Sequence, residues 1–328
     1  MGQLIDGKWE TRNFSPRIVA GRFQRRDTLF RRWIAADPEA EFPAAPGRYH
    51  LYVSLACPWA HRTLIFRSLK RLEAAISVSI VEPFMGDQGW VFGDAPGATL
   101  DGVNGHKALY EVYRQAKPDY TGRVTVPVLW DKQTGQIVNN ESAEIIRMLN
   151  SAFDAFGDAA IDFYPAALRP EIDRVNALVY DAINNGVYKA GFATTQEAYE
   201  EAFDSLFAAL DQLEARLSGQ RYLVGDRLTE ADWRLFTTLV RFDAVYFSHF
   251  KCNRRRIVDY PALSGYLREL YQVPGVAATV DLDHIKQHYY RSHTGINPNG
   301  IVPKGPQLDL DRPHERDRLP AVPLRKAG

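Results

Sequence analysis

The chain has 328 residues, 45% of them hydrophobic and 12% aromatic, enough to bury a sizeable core in one large or two ordinary domains. Its 40 basic side chains are balanced by 40 acidic ones, which excludes the basic surplus that a polyanion demands, so no nucleic-acid partner is expected. Two cysteines exclude a disulfide framework, and neither a bilayer-spanning apolar run nor a secretory leader is visible, so a cytoplasmic protein without a membrane partner is expected.

Residues 1–46 are rich in Arg, Phe and Trp, carry Pro16, Pro38, Pro43 and Pro46, and show no periodicity; they read as an N-terminal extension wrapped on the body. From residue 47 the pattern changes. Residues 49–55 alternate and are β-prone, which predicts a strand. Pro58 opens an apolar-periodic stretch through Leu64, Ile65, Leu69 and Leu72, which predicts a helix. Ile76, Val78 and Ile80 alternate with Ser77 and Ser79 in a second predicted strand. Residues 86–105 are Gly-rich and polar and read as a long loop, of a length that often carries function. A helix over 107–117, a third strand over 124–130 interrupted by Pro127, and a short fourth strand over 136–138 follow. Asn139 or Asn140 then caps a helix over about 141–149.

That order, β-α-β-α-β-β-α with a proline inside the third strand, is the thioredoxin layout, and it defines an α/β thioredoxin-like domain over residues 47–151. A linker is expected over 152–168. An all-helical domain is expected over 169–292, with helices near 170–185, 195–218, 229–247, 261–272 and 281–289. A Pro- and Gly-rich tail is expected over 293–328. Within the helical half, Thr229 and Asp232 have the spacing of an N-cap and its acidic partner.

The chemistry concentrates where the first strand meets the first helix. Pro58 suits the first helical position, which puts Cys57 at the N-cap. There the helix dipole and the first-turn amides favour a thiolate, and cysteines so placed titrate at roughly 3.5–7.5 against about 8.5 when free. A buried structural cysteine is the bland alternative; the strand–Cys-Pro–helix context favours the nucleophile. His61 and Arg62 stand close by in sequence, with the direction of their charge open. Ala60 occupies the place of a second cysteine, so no internal dithiol exists at this helix and a disulfide cycle there needs an external thiol such as glutathione. Cys252 reads as structural.

Val126-Pro127 sits inside a strand, where proline normally breaks pairing. A cis bond, the expectation in this layout, presents the Val126 backbone to a ligand chain; a trans proline on an edge strand is the alternative. Glu141 and Ser142 open a helix, a place where amides and a hydroxyl hold a carboxylate while Glu141 pairs with an adjacent ammonium, as the γ-glutamyl end of glutathione requires. Alone, these two are also ordinary first-turn residues. Tyr188 and Tyr289 lie near helix ends, where a phenol can donate a proton to an aromatic substrate; by residue type alone, packing is the stronger reading of each.

Together these motifs resemble the cytosolic glutathione transferases: a thioredoxin-like N-terminal domain followed by an all-α C-terminal domain. More narrowly they resemble the glutathionyl-hydroquinone reductases, the Xi class. The resemblance rests on Ser54 to Arg62, Thr125 to Asp131, Asn139 to Ser142, Asn185 to Phe192, Tyr289 to His293 and Ile296 to Pro303. It implies that Cys57 attacks the glutathione sulfur of a glutathionyl-hydroquinone, and that Trp90, Arg123, Val126, Glu141 and Ser142 hold the glutathione moiety. It further implies that Tyr188 and Tyr289 face the aromatic ring, that glutathione is the co-substrate with no metal involved, and that the protein is a homodimer. The choice of cysteine supports reduction independently: Ser or Tyr can polarise glutathione for conjugation but cannot form a disulfide with it. Two alternatives stay open at this point, an Omega-like thiol transferase or dehydroascorbate reductase using the same cysteine, and a non-catalytic interaction module that kept the fold.

Overall fold

The computed structural model describes residues 2–11, 17–25 and 27–324; Pro16 and residues 325–328 of the tail lie outside the described residues. The described chain divides into two units. One comprises 2–11, 27–159 and 278–302, the other 17–25, 160–277 and 303–324.

Four short strands precede the main sheet: β1 (Gln3–Ile5) pairs antiparallel with β2 (Lys8–Glu10) in the first unit, and β3 (Ile18–Val19) with β4 (Arg22–Phe23) in the second. The first turn needs its glycine. Gly7 has φ +74°, and a Cβ there meets the Pro118 carbonyl oxygen at 1.8 Å. The expected single wrap over 1–46 is therefore divided between the units and contains two hairpins.

The sheet of the first unit has the order β6-β5-β7-β8. Its central strand, β5 (Tyr49–Val53), is buried at all five positions, as expected of a strand covered on both faces. Then comes α1 (Pro58–Leu69), and β6 (Ile76–Ile80) returns parallel to β5. α2 (Leu109–Ala116) leads to β7 (Val128–Asp131), antiparallel to β5, and β8 (Gln136–Asn139) folds back on β7. Pro127 thus precedes β7 instead of interrupting it: the strand begins at Val128, where backbone N–H groups are again available to pair. The β7–β8 turn is fixed by Asp131, which accepts from Thr134 Oγ1 at 2.9 Å and the Gln133 amide at 3.0 Å and is clamped by Arg48 at 2.6 and 2.9 Å. Burial pushes this carboxyl up, but the Arg48 guanidinium and the turn donors outweigh it and hold it below the ordinary carboxylate range.

β8 would be an open sheet edge; residues 30–32 cover it. The Arg32 amide donates to Val138 O at 3.0 Å, the Asn140 amide to Phe30 O at 3.1 Å, and Arg31 forms an ion pair with Glu144. α3 (Ser142–Ser151) closes this half and packs on α1. The segment between β6 and α2 forms no helix or strand, yet it is tied at both ends. The Glu82 amide donates to Val91 O and the Leu109 amide to Trp90 O, both at 2.9 Å; Asp101 accepts the Tyr52 hydroxyl at 2.9 Å. Trp9 of β2 adds a latch, its indole N–H donating to Asp87 O at 2.8 Å and its ring stacking on Tyr110.

The second unit is helical: α4 (Arg169–Leu178), α5 (Gly186–Gly191), α6 (Gln196–Gly219), α7 (Glu230–Arg241) and α8 (Pro261–Gln272), with π-helical turns at Val179–Asn184 and Phe242–Tyr246. Thr229 and Asp232 form the anticipated capping box of α7. The tail beyond residue 303 is held by Arg316, which is 3% exposed: its guanidinium donates to Glu269 at 3.0 Å and to the carbonyls of Leu217, Gln220 and Arg221 at 3.1, 3.0 and 2.6 Å. No helix among the described residues is long and apolar enough to cross a membrane.

The last helix, α9 (Leu282–Ser292), departs from expectation. A helical domain running to residue 292 would include it, yet residues 278–302 belong to the first unit. The reason lies in its polar contacts. His284 Nε2 faces Pro96 O at 2.6 Å, His288 Nδ1 faces Pro83 O at 3.0 Å, and Ser292 Oγ accepts the Met85 amide at 3.0 Å. All three partners lie on the segment after β6.

Candidate active site

Cys57 occupies the N-cap of α1, with Pro58 at the first helical position. Its backbone is extended, φ −79° and ψ 121°, and its side chain is part-exposed. The sulfur makes no capping hydrogen bond to α1; it lies 3.6 Å from the Val126 carbonyl oxygen. The dipole of a twelve-residue helix still acts on it from the position beside the first turn. The Val126–Pro127 peptide bond is cis, as the layout predicts.

The two basic residues that follow Cys57 do different things. His61 is fully buried and its Nε2 faces Thr279 Oγ1 at 2.8 Å, so it ties α1 to the residues just before α9. Arg62 is 2% exposed, lies over the Trp59 ring at 4.6 Å, and donates to Ser142 Oγ at 3.4 Å. That contact joins the heads of α1 and α3 through a buried cation. The sequence carries Arg62 in plain view, but its direction becomes visible only with the helix pairing.

At the head of α3, Glu141 is the N-cap; its own amide donates to Asn139 Oδ1 at 2.7 Å and its Oε1 accepts the Ala143 amide at 3.1 Å. Ser142 is buried as the first residue of the helix. The Arg123 carbonyl accepts the Tyr120 hydroxyl at 2.9 Å, which fixes the backbone a few residues before Val126.

Trp90, 5% exposed, stacks on His288 of α9, with ring centroids 4.7 Å apart and planes at 24°. Tyr289 is the next residue along α9 and makes edge-on contacts with His288 and His293 at 5.2 and 5.4 Å. Cys57, Trp90, Arg123, Val126, Glu141, Ser142 and Tyr289 therefore all belong to the first unit. Tyr188 belongs to the second, on α5, where it is buried among Phe23, Phe192, Tyr246 and Phe250 with the Arg25 guanidinium 5.1 Å from its ring. Cys252 is fully buried, and burial pushes its thiol well up, the opposite of what a nucleophile needs.

A thioredoxin-like sheet that sets a lone cysteine at the head of its first helix, in one chain with a helical unit, is the architecture of a glutathione-handling enzyme, and the chain belongs to the glutathione S-transferase family. The family's N-terminal-domain profile matches residues 56–152 and its C-terminal-domain profile residues 196–269. Among individual proteins, the chain is 57% identical to the glutathionyl-hydroquinone reductase YqjG of Escherichia coli, over 97% of this chain and 99% of that one. It is also 57% identical to the glutathionyl-hydroquinone reductase PcpF of Sphingobium chlorophenolicum, over 94% of this chain and 98% of that one. Among solved structures, the glutathione-bound form of YqjG superposes with a TM-score of 0.89 at 56% identity, covering 96% of this chain and 99% of that one. A Xi-class glutathione transferase from Natrialba magadii gives 0.93 at 51% identity, covering 98% of each chain.

Proposed function

We propose that the protein reduces glutathionyl-hydroquinones to hydroquinones, with glutathione as reductant and Cys57 as nucleophile. The observation that carries this reading is the part-exposed Cys57 sulfur at the mouth of α1, beside the Val126 carbonyl. Near-full-length identity to two glutathionyl-hydroquinone reductases supports it.

The Cys57 thiolate attacks the sulfur of the conjugate. The bond from that sulfur to the ring carbon breaks, its electron pair stays on carbon, and the carbon takes up a proton. Tyr289, in the same unit as Cys57, assists that protonation. A second glutathione, also as thiolate, attacks the glutathione sulfur of the mixed disulfide; oxidised glutathione leaves and the Cys57 thiolate returns. The ring carbon is reduced, two glutathione sulfurs are oxidised to one disulfide, and one proton is consumed from each glutathione used. The head of α3 holds the γ-glutamyl carboxylate with the Ser142 hydroxyl and first-turn amide, and the buried Arg62 adds positive potential there. The second oxygen of Glu141 takes the ammonium. The Val126 backbone pairs with the cysteinyl residue of glutathione, and Trp90 and Arg123 line the remainder. The reading includes aromatic glutathione conjugates as substrates, a cytoplasmic setting where thiols stay reduced, and a homodimer.

Incubation with glutathione and a synthetic glutathionyl-hydroquinone is expected to give one hydroquinone and one oxidised glutathione per conjugate. Cys57→Ser is expected to give neither, and its full activity sinks the reading. Faster turnover of dehydroascorbate or simple mixed disulfides redirects it to a thiol transferase; one relative, 49% identical, is a glutathione S-transferase omega-like 2 of Schizosaccharomyces pombe.

A further inference from the structure

We infer that His288 is a positioning residue for this reaction, holding the Trp90 indole in place for the glutathione moiety. The inference rests on the reading above, in which Trp90 lines that moiety.

His288 is 8% exposed and meets the segment after β6 in two ways. Its Nδ1 lies 3.0 Å from Pro83 O. A carbonyl oxygen only accepts, so Nδ1 carries a proton and donates it, which fixes the ring's orientation. With the ring so fixed, its face lies on Trp90, centroids 4.7 Å apart and planes at 24°, an offset stack. The same ring meets Tyr289 edge-on at 5.2 Å. One imidazole thus sets the plane of an indole on the segment after β6 and touches the phenol that follows it on α9. Trp90 has its own backbone held by the Leu109 amide at 2.9 Å, but that bond leaves its side-chain plane undetermined. The stacked ring supplies what the backbone does not.

Two variants separate the ring from the hydrogen bond. His288→Asn keeps a donor near the Nδ1 position and removes the stacking face; His288→Phe keeps the face and removes the donor. The stack is expected to matter for binding, so His288→Asn raises the glutathione Kd by calorimetry and the KM for the conjugate, each roughly three- to tenfold, the range an aromatic pair is worth. The kcat is expected to stay within about twofold, and His288→Phe, which keeps the face but loses the bond that orients it, to recover most of the loss in Kd and KM. Alkylation of Cys57 by iodoacetamide, at a rate equal to wild type in both variants, verifies that the site is folded. A wild-type Kd in His288→Asn overturns the inference. So does an equal loss in both variants, which marks a merely structural residue. Absence of turnover in the wild type tells against the reductase reading alone, because the calorimetric comparison decides the role of His288 without it.

Discussion

Two thiols in one chain show how much environment decides. Cys57 is part-exposed at a helix head, whereas Cys252 is buried completely and its thiol is pushed up by desolvation. Iodoacetamide at neutral pH is therefore expected to add one label, on Cys57, with the second appearing only after denaturation; peptide mass spectrometry reads this directly. A native protein labelled equally at both positions contradicts the assignment. At the proposed proton donor, Tyr289→Phe removes the hydroxyl while keeping the ring that His288 and His293 meet. It is expected to lower kcat on glutathionyl-hydroquinones by about 100-fold, the low end for general-acid catalysis, with little change in KM. The place of Cys57 at a helix head was legible in the sequence because adjacent residues decide it: Pro58 fixes the helix start, and the start fixes the cap. The contacts of His288 with Trp90 and of Arg62 with Ser142 were not legible, since these partners lie far along the chain and only packing brings them together.

At the level of elements, periodicity predicted β5, α1, β6 and the helices α4, α6, α7 and α8 with ends shifted by a few residues, and it left α5 in the gap between the first two. It failed where elements are short or borrow their stability. Each strand of the first hairpin has three residues, too few for an alternating pattern to register, although Asp6-Gly7 is a hairpin turn signal. The π-helical turns at Val179–Asn184 and Phe242–Tyr246 were hidden inside what read as continuous helices. α9 is a helix by pattern, but nothing in its own residues says which unit it joins. Close element contacts give sharper tests than pattern does. A Cβ on Gly191 of α5 meets the Phe250 ring at 2.2 Å, so Gly191→Ala forces helix and ring apart and is expected to cost about 1–3 kcal/mol or more. Removing the N-cap hydroxyl of α7 with Thr229→Ala is expected to cost about 1 kcal/mol. Urea unfolding measures both, and an unchanged midpoint in either refutes the packing described.

Across the whole molecule, stability has a predictable acid limb. Burial pushes the imidazole of His50 in the first unit and that of His249 in the second down to about 4. The unfolded chain protonates these rings near 6.5, so below that pH it binds protons the folded chain refuses. The stabilising contribution is complete above 6.5 and is lost as pH falls toward 4, by roughly 3 kcal/mol for each ring. The urea midpoint is expected to drop between pH 7.5 and 5, and a flat profile there contradicts neutral buried rings. The end of the chain carries a different lesson. Among the described residues, secondary structure stops at Ser292, and a reader of ribbon diagrams would treat the stretch beyond as expendable. Yet Arg316 cannot withdraw without rehydrating a guanidinium and abandoning Glu269 together with four carbonyls. Deuterium uptake around residue 316 should therefore be as slow as in α8: the inserted Arg316, with Arg221 gripping Asp317 and the Leu319 carbonyl, pins this stretch, and shortening the protein back through Arg316 removes a rivet from the second unit instead of a loose end.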